Sequence, residues 1–247
     1  MKITFLGVGA AFDEEHPNMS ILVQADNQNL LLDCGYSVPP ELWKLHPEPD
    51  FLDAVWISHE HADHCYGIAP LIKRISASKK RNKPLYIFTM AGMKEKLEKL
   101  IDGGYPGLME KLNFDMKIIE VTNPTEFAGM IFSVAPTVHM VPNMALRIEA
   151  ENKVLSYSGD GMFVDETKEL YRGSDFLLQE TFLIDKEEYG HANILELSKI
   201  MDELEIKQAA AAHLNNSVRR DKKAVLDFIK STGKNIILPE EGDVIEI

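Results

Sequence analysis

The sequence predicts one layered α/β domain, with two sheets packed face to face and helices covering their outer sides. Three observations lead there. Short apolar runs rich in β-branched residues recur along the whole chain. The early runs follow one another closely, as hairpins do, while the later ones alternate with helical patterns. The length of 247 residues suits a single α/β unit, since several such folds run to about 250 residues. A chain of this size buries enough surface to need no disulfides.

Taken in order, Lys2–Leu6, Ser20–Gln24 and Asn29–Leu32 read as three closely spaced strands. Ala54–Ile57, Leu85–Phe88 and Met116–Val121 follow, separated by the helical patterns Cys65–Ala77 and Gly92–Leu100. Ile131–Ala135, Ala145–Glu149, Lys153–Tyr157 and Phe176–Gln179 continue the strands. The helix Ile194–Leu204 leads to the alanine-rich strand Gln208–Ala212. The helix Arg220–Ser231 leads to Asn235–Leu238, and Asp243–Glu246 adds a short last strand. The stretch around Asp102–Pro106, within 91–115, carries the glycines and proline of an insertion. No repeat or low-complexity linker interrupts the pattern, so residues 1–247 are expected to form one domain.

Composition narrows the function. Apolar residues at 45% and charged residues at 26% exclude a disordered, coiled-coil or collagen-like chain. No run approaches the length of a membrane span, and Met1–Gly9 enters a strand pattern without a signal peptide's features. The net charge of −13 opposes broad nucleic-acid binding, which needs a positive field. Cys34 and Cys65 are too few for a disulfide framework, which points to a reducing, cytoplasmic setting and to packing roles for both thiols. Gly7-Val8-Gly9 lacks the third glycine and the helix of a dinucleotide fingerprint. The chain holds no Gly-x-Ser-x-Gly and no phosphate loop.

The chemistry concentrates after the strand Ala54–Ile57, in Ser58-His59-Glu60-His61-Ala62-Asp63-His64. Imidazole and carboxylate are ligands for zinc and similar metals. The segment is too short to wrap all four groups around one ion. His59 and His61 can face one ion while Asp63 and His64 reach another, so the spacing suggests two metals. With this composition the pattern arises by chance in roughly one chain in 2,000. Further ligand types sit just past other strands: Asp33, His139, Asp160 in Ser158-Gly159-Asp160, and His213. Each taken alone is more often a turn, packing or surface residue. Together they describe a site along one edge of the sheets.

In this order, Asp33, His59-x-His61-x-Asp63-His64, His139, Asp160 and His213 resemble the motifs of the metallo-β-lactamase superfamily over nearly the whole chain. The resemblance implies a four-layer αββα sandwich with a dinuclear metal site. It implies that His59, His61 and His139 hold one metal, that Asp63, His64 and His213 hold the other, and that Asp160 bridges them. Asp33 would orient a ligand rather than bind metal. Glu180, Gly190-His191-Ala192 and the segment from His213 to Ser217 and Arg219 look like the ribonuclease Z branch, which contains the tRNA 3′ endonuclease and small phosphodiesterases. There the position of His191 assists the leaving group. Two departures matter. The branch's His-Ser-Thr is Gly190-His191-Ala192 here, and the short interval between His139 and Asp160 has no room for the arm that grips tRNA.

The expected activity is a metal-dependent phosphodiesterase acting on a small, nucleotide-derived diester. Two divalent ions, Zn²⁺ first and Mn²⁺, Fe²⁺ or cobalt next, would share a bridging hydroxide that attacks phosphorus. Asp63 would help to orient that hydroxide. His191 would protonate the departing alkoxide, and Glu180 would set its tautomer. Ser217, Arg219 and Arg220 are candidate phosphate contacts. The loops 13–18, 36–50, 91–115 and 182–190 are expected to set substrate identity. Rival readings are a lactone, carboxylic-ester or aryl-sulfate hydrolase, a di-iron oxidoreductase, the tRNA endonuclease, and a non-catalytic metal-binding protein. The expected partner is a small-molecule substrate, with no membrane. Relatives often dimerise, so a homodimer is the assembly to look for.

Overall fold

The computed structural model describes residues 1–247. Fourteen strands form in chain order: β1 Lys2–Gly7, β2 Ser20–Ala25, β3 Gln28–Leu32, β4 Ala54–Ile57, β5 Leu85–Thr89, β6 Met116–Glu120, β7 Thr125–Phe127, β8 Met130–Pro136, β9 Met144–Ala150, β10 Lys153–Tyr157, β11 Phe176–Glu180, β12 Ala209–Ala212, β13 Ile236–Ile237 and β14 Val244–Glu246. The helices are α1 Val38–Leu45, α2 Ala62–Cys65, α3 Ile68–Ala77, α4 Lys94–Gly104, α5 Asp165–Tyr171, α6 Ile194–Glu203, α7 Asn216–Arg219 and α8 Lys222–Thr232. A 3₁₀ turn covers Met109–Lys111.

The strands divide into two seven-stranded sheets. One runs β14-β1-β2-β3-β4-β5-β6 and the other β13-β12-β11-β10-β9-β8-β7. The period-2 alternation of strands builds three apolar layers. In β4, Ala54 and Trp56 enter the core between the sheets, while Val55 and Ile57 enter the layer under α1, α3 and α4. A strand buried on both faces reads as a continuous apolar run, as Ala-Val-Trp-Ile does. The inner core carries Phe5, Phe88, Phe132, Tyr157 and Phe176, with Phe88 and Phe132 edge to face at 5.2 Å. The third layer lies under α6 and α8 and includes Leu177, Ala209 and Ala211 from β11 and β12.

Strand direction places the site. β3, β4, β5 and β6 are parallel, and so are β10, β11, β12 and β13. Their carboxyl ends line one edge of the sandwich, where open α/β sheets bind ligands. Tight turns reverse the chain at the opposite edge. Asp26 and Asn27 between β2 and β3, and Glu151 and Asn152 between β9 and β10, all have left-handed φ of 49° to 58°, as two-residue hairpins require.

Several elements differ from the sequence expectation. The helix expected over Cys65–Ala77 is two helices, Ala62–Cys65 and Ile68–Ala77. Helix α1 was not expected, because Pro39-Pro40 reads as a breaker. In the first turn of a helix, however, proline costs little, since its missing N–H has no intrahelical partner there. Helices α5 and α7 and strand β7 also escape the periodicity, because each spans seven residues or fewer. The stretch 91–115 does not stand apart. Helix α4 runs through Gly103-Gly104 and buries Leu97 and Ile101 on the first sheet's outer layer.

Two glycines separate close packing from mere permissiveness. A Cβ on Gly67, at the start of α3, would lie 2.2 Å from the Gly35 carbonyl oxygen and 2.7 Å from that of Cys34. Gly103, inside α4, has nothing within 4 Å. Gly67→Ala is therefore expected to cost about 1–3 kcal/mol through overpacking. Gly103→Ala is expected to stabilise by up to about 1 kcal/mol through helix propensity. Denaturant midpoints of the two variants measure both, and equal shifts of the same sign would contradict the packing argument.

Candidate metal centre

Eight side chains from both sheets converge at the carboxyl edge. Asp33 follows β3, the segment His59–His64 follows β4 and enters α2, His139 follows β8, Asp160 follows β10 and His213 follows β12. All but Asp33 point donor atoms into two groups. His59, His61, His139 and Asp160 form one, and Asp63, His64, Asp160 and His213 form the other. Within each group the donors lie within 4.8 Å of one another. Asp160 belongs to both. Its Oδ2 lies 3.9 Å from His59 Nε2, 3.8 Å from His139 Nε2 and 3.6 Å from His213 Nε2. Its Oδ1 lies 3.3 Å from His64 Nε2. Asp63 Oδ2 is 3.2 Å from both His64 Nε2 and His213 Nε2.

The outer hydrogen bonds decide which nitrogen faces inward. His139 Nδ1 donates to the Gly190 carbonyl at 2.7 Å, and His64 Nδ1 to Asp33 Oδ2 at 2.7 Å. His59 Nδ1 is 3.0 Å from Ser58 Oγ. Their Nε2 atoms are thereby left as lone-pair donors toward the centre. His59 Nε2, His64 Nε2 and Asp160 Oδ1 are buried and make no hydrogen bond within the protein. Buried polar atoms are rarely left so, and these converge on common points. Nitrogen and carboxylate donors in two four-membered groups fit divalent transition-metal ions.

Backbone strain and clamps hold this geometry. Asp33 and His213 both have left-handed φ, 58° and 59°, a conformation that non-glycine residues adopt mostly where surrounding structure enforces it. Asp160 lies between Gly159 and Gly161, whose φ values are 57° and 126°. A Cβ on Gly161 would stand 2.3 Å from Thr137 Oγ1, and one on Gly159 would stand 2.4 Å from Asn143 Oδ1. Those two residues grip the loop: Thr137 Oγ1 and Asn143 Nδ2 each donate to the Asp160 carbonyl at 2.6 Å.

Electrostatics separates the two groups. Burial and the neighbouring imidazoles keep His59 and His61 below the ordinary histidine value. Burial also opposes charge on His64 and His213, but the surrounding carboxylates outweigh it. His64 is raised well above its usual value, and His213 is pushed up to about 9. Burial would raise Asp63 and Asp160, yet the facing imidazoles hold both below the carboxylate range. The second group is therefore a place where negative charge is balanced at close range.

Asp33 is fully buried and accepts four hydrogen bonds. They come from the Ser58 amide and Ser58 Oγ at 2.7 Å each, His64 Nδ1 at 2.7 Å and Tyr157 Oη at 2.6 Å. Tyr157 lies on the second sheet, so this bond ties the two sheets together beneath His64. Burial, then the charge of Asp33, raises the Tyr157 phenol well above its usual range, so it remains a donor.

Above the cluster opens a cavity of about 500 Å³. Its lining combines His61, Asp63, His139, Asp160 and His213 with Phe12, Met140, Phe182, His191, Asn215, Asn216, Ser217 and Arg220. His191 Nδ1 pairs with Glu180 Oε1 at 2.9 Å, and Phe182 stacks on its ring at 4.5 Å. Glu180 is fully buried, and its Oε2 accepts from the amides of Ala192 at 3.1 Å and Gly161 at 3.3 Å. It thus holds both His191 and the Asp160 loop.

A family model described as Anti-Pycsar protein Apyc1 matches residues 1–233. The chain belongs to that family. An Anti-Pycsar protein Apyc1 of Paenibacillus harenae is 31% identical over 84% of this chain and 87% of its own length. A ribonuclease Z of Methanosarcina acetivorans is 22% identical over 100% of this chain and 98% of its own. The metallo-beta-lactamase fold protein YhfI of Bacillus subtilis superposes with a TM-score of 0.84 at 24% identity, covering 99% of this chain and 98% of that one. The Apyc1-family chain is thus a ribonuclease Z-like member of the metallo-β-lactamase superfamily and a metal-dependent hydrolase.

Two sequence expectations need correction. Arg219 does not reach the cavity of this family member. It is buried, and its Nη2 donates to the Pro239 carbonyl at 2.6 Å and to Glu240 at 2.8 Å. Arg220, next to it, lines the cavity instead, and so does Ser217, whose Oγ donates to Asn215 Oδ1 at 2.7 Å. Of the loops expected to set substrate identity, 13–18, 36–50 and 91–115 contribute no lining residue; the last two form α1 and α4 on the outer layer. Phe12, Met140, Asn143 and Tyr157 carried no local signal, since each gains its meaning from a partner distant in sequence.

His64→Ala is expected to lose metal by elemental analysis. Tyr157→Phe keeps the ring in the core and removes one donor to Asp33. Its metal affinity should fall about 10–100-fold in competition with a chromophoric chelator. Unchanged affinity in a folded Tyr157→Phe protein would show that the cross-sheet bond does not orient His64.

Proposed function

We propose that this chain is a phosphodiesterase of small, singly charged diesters, of which a cyclic nucleotide is the first candidate. The observation that carries this reading is His191. It lines the cavity beside the donor cluster, with Glu180 fixed on Nδ1 and Nε2 left as the free ring nitrogen. A proton donor so placed suits a poor alkoxide leaving group.

His59, His61, His139 and Asp160 would hold one divalent ion, and Asp63, His64, Asp160 and His213 a second, with zinc favoured by the nitrogen-rich donors. When bound, such a pair supplies positive charge for phosphoryl oxygens and a solvent nucleophile at neutral pH. Asp160 spans the two groups and keeps them in register. Asp63 faces His64 and His213 from the cavity wall, where it can also orient incoming solvent. The surroundings of His191 favour its acid form. Burial lowers its pKa, but the hydrogen bond and charge of Glu180, with Asp160, raise it above the ordinary value.

The cavity argues for a small substrate. Its volume of about 500 Å³ is that of a typical small-molecule site. Its one basic side chain outside the histidines, Arg220, is paired with Glu14 and Glu15. No free cation remains for a second phosphate or a polyanionic chain. The interval from His139 to Asp160 is taken up by β9, β10 and their tight turn, with no projecting arm. With a net charge of −13, this weighs against precursor tRNA. No helix is long and apolar enough to cross a membrane.

Turnover of zinc-loaded protein on cyclic nucleotides, bis-p-nitrophenyl phosphate, lactones and aryl sulfates tests the reading. Hydrolysis of carbonyl substrates alone would replace it with the esterase alternative. His191→Ala should retain its metal and lose about 10²–10⁴ in kcat on an alkoxide-leaving diester, but much less with p-nitrophenolate, which needs no proton. Equal losses on both would remove the acid role. Because the acid form of His191 is lost as pH rises through its pKa, rate should fall on the alkaline side. Glu180→Gln removes the charge that raises that pKa, so this limb should move to lower pH in the pH–rate profile.

A further inference from the structure

Resting on the phosphodiesterase reading, we infer that Phe12 is a specificity-determining residue that grips a planar aromatic ring on the diester, in a cavity that Met140 also lines. Phe12 is 88% exposed and Met140 55% exposed, and both line the cavity above the donor cluster. A single exposed apolar residue is ordinary. Phe12 differs in how it is held.

The Asp13 amide donates to the Ala10 carbonyl at 3.3 Å, closing a turn with Ala11 and Phe12 at its corner. Asn216 Nδ2 donates to the Phe12 carbonyl at 2.9 Å and to Glu14 Oε2 at 2.8 Å. The Tyr36 hydroxyl donates to the Ala11 carbonyl. Arg220 pairs with Glu14 and Glu15, and His16 with Glu241. Asp13 Oδ1 accepts from the amides of Glu15 and His16. The turn is thus fixed from several sides, while the ring at its corner packs against nothing that would explain its being apolar. A pre-positioned aromatic loses little freedom on binding, which favours its use as an anchor.

The polar neighbours point the same way. Asn215 is occupied by Ser217, Asn216 by the Phe12 turn, and Arg220 by two carboxylates. Among the apolar groups the cavity leaves to a substrate are the exposed Phe12 ring and the flexible, polarisable thioether of Met140. Such walls favour a flat aromatic group, whether nucleobase or aryl, over a hydrated sugar or alkyl alcohol.

The test compares a ring-bearing diester, adenosine 3′,5′-cyclic monophosphate, with its abasic counterpart, 1-deoxyribose 3′,5′-cyclic phosphate, on zinc-loaded protein. Phe12→Ala should reduce the preference for the ring-bearing substrate about tenfold, mainly through KM, as expected for loss of one stacking contact. Phe12→Tyr should retain the preference. Equal losses on both substrates, or no loss on either, would overturn the inference. If the wild-type protein hydrolyses no diester, the phosphodiesterase reading falls by itself. Calorimetric binding of adenosine 5′-monophosphate and phenyl phosphate against ribose 5-phosphate then decides the clamp separately. Ring-dependent binding lost in Phe12→Ala supports it, and ring-independent binding removes it. Adenosine monophosphate alone showing the effect assigns the ring to a nucleobase, and both showing it assigns the contact to aromatic rings in general.

Discussion

Asp160 is the constraint on which the rest of the structure depends. One buried carboxylate faces His64 through Oδ1 and His59, His139 and His213 through Oδ2. Those imidazoles come from both sheets. Taking such charges and lone pairs out of water is costly unless they face compensating partners. The cluster forms because the parallel strands of both sheets end at the same edge, and because Gly159 and Gly161 let the chain turn where any side chain would collide. The folded core serves to deliver these ends to within a few ångströms of one another.

Around that centre the protein repeats one device: a buried acid orients a histidine. Asp33 holds His64, and Glu180 holds His191. Each acid also engages a second element. Asp33 is bonded by Tyr157 from the opposite sheet, and Glu180 by the amide of Gly161 in the Asp160 loop. The donor cluster and His191 are therefore coupled through fixed hydrogen bonds rather than adjusted independently. Their fully buried carboxylates retain enough partners to offset desolvation.

In the proposed reading, the cavity above the cluster adds selectivity to chemistry that is otherwise permissive. Its polar side chains are largely spent on one another and on the turn that carries Phe12. This leaves recognition of the non-reacting part of a substrate to shape and apolar contact. Lactones and phosphodiesters could share the same donor cluster. In the proposed reading, the cavity walls and His191 are the features that distinguish among them.

Patterns carried within a few residues were legible from the chain alone: the strand-helix alternation, the run His59-x-His61-x-Asp63-His64, and ligand types just past strand ends. Spacing settles these, because a strand followed by a short loop can point its side chains in few directions. Asp33, His139, Asp160 and His213 were placed in the site by their order and by resemblance, and their convergence is a matter of sheet topology. Arg219 and Arg220 show where sequence stops. They are adjacent, yet about 100° of helical rotation between neighbours sends one guanidinium to Pro239 and Glu240 and leaves the other at the cavity. Tyr157 and Asp33 are 124 positions apart, and Phe12 and Asn216 are 204 apart. Only the packing of one sheet on the other, and of the first loop on α7, brings such pairs together, because a hydrogen bond depends on distance in space and not along the chain.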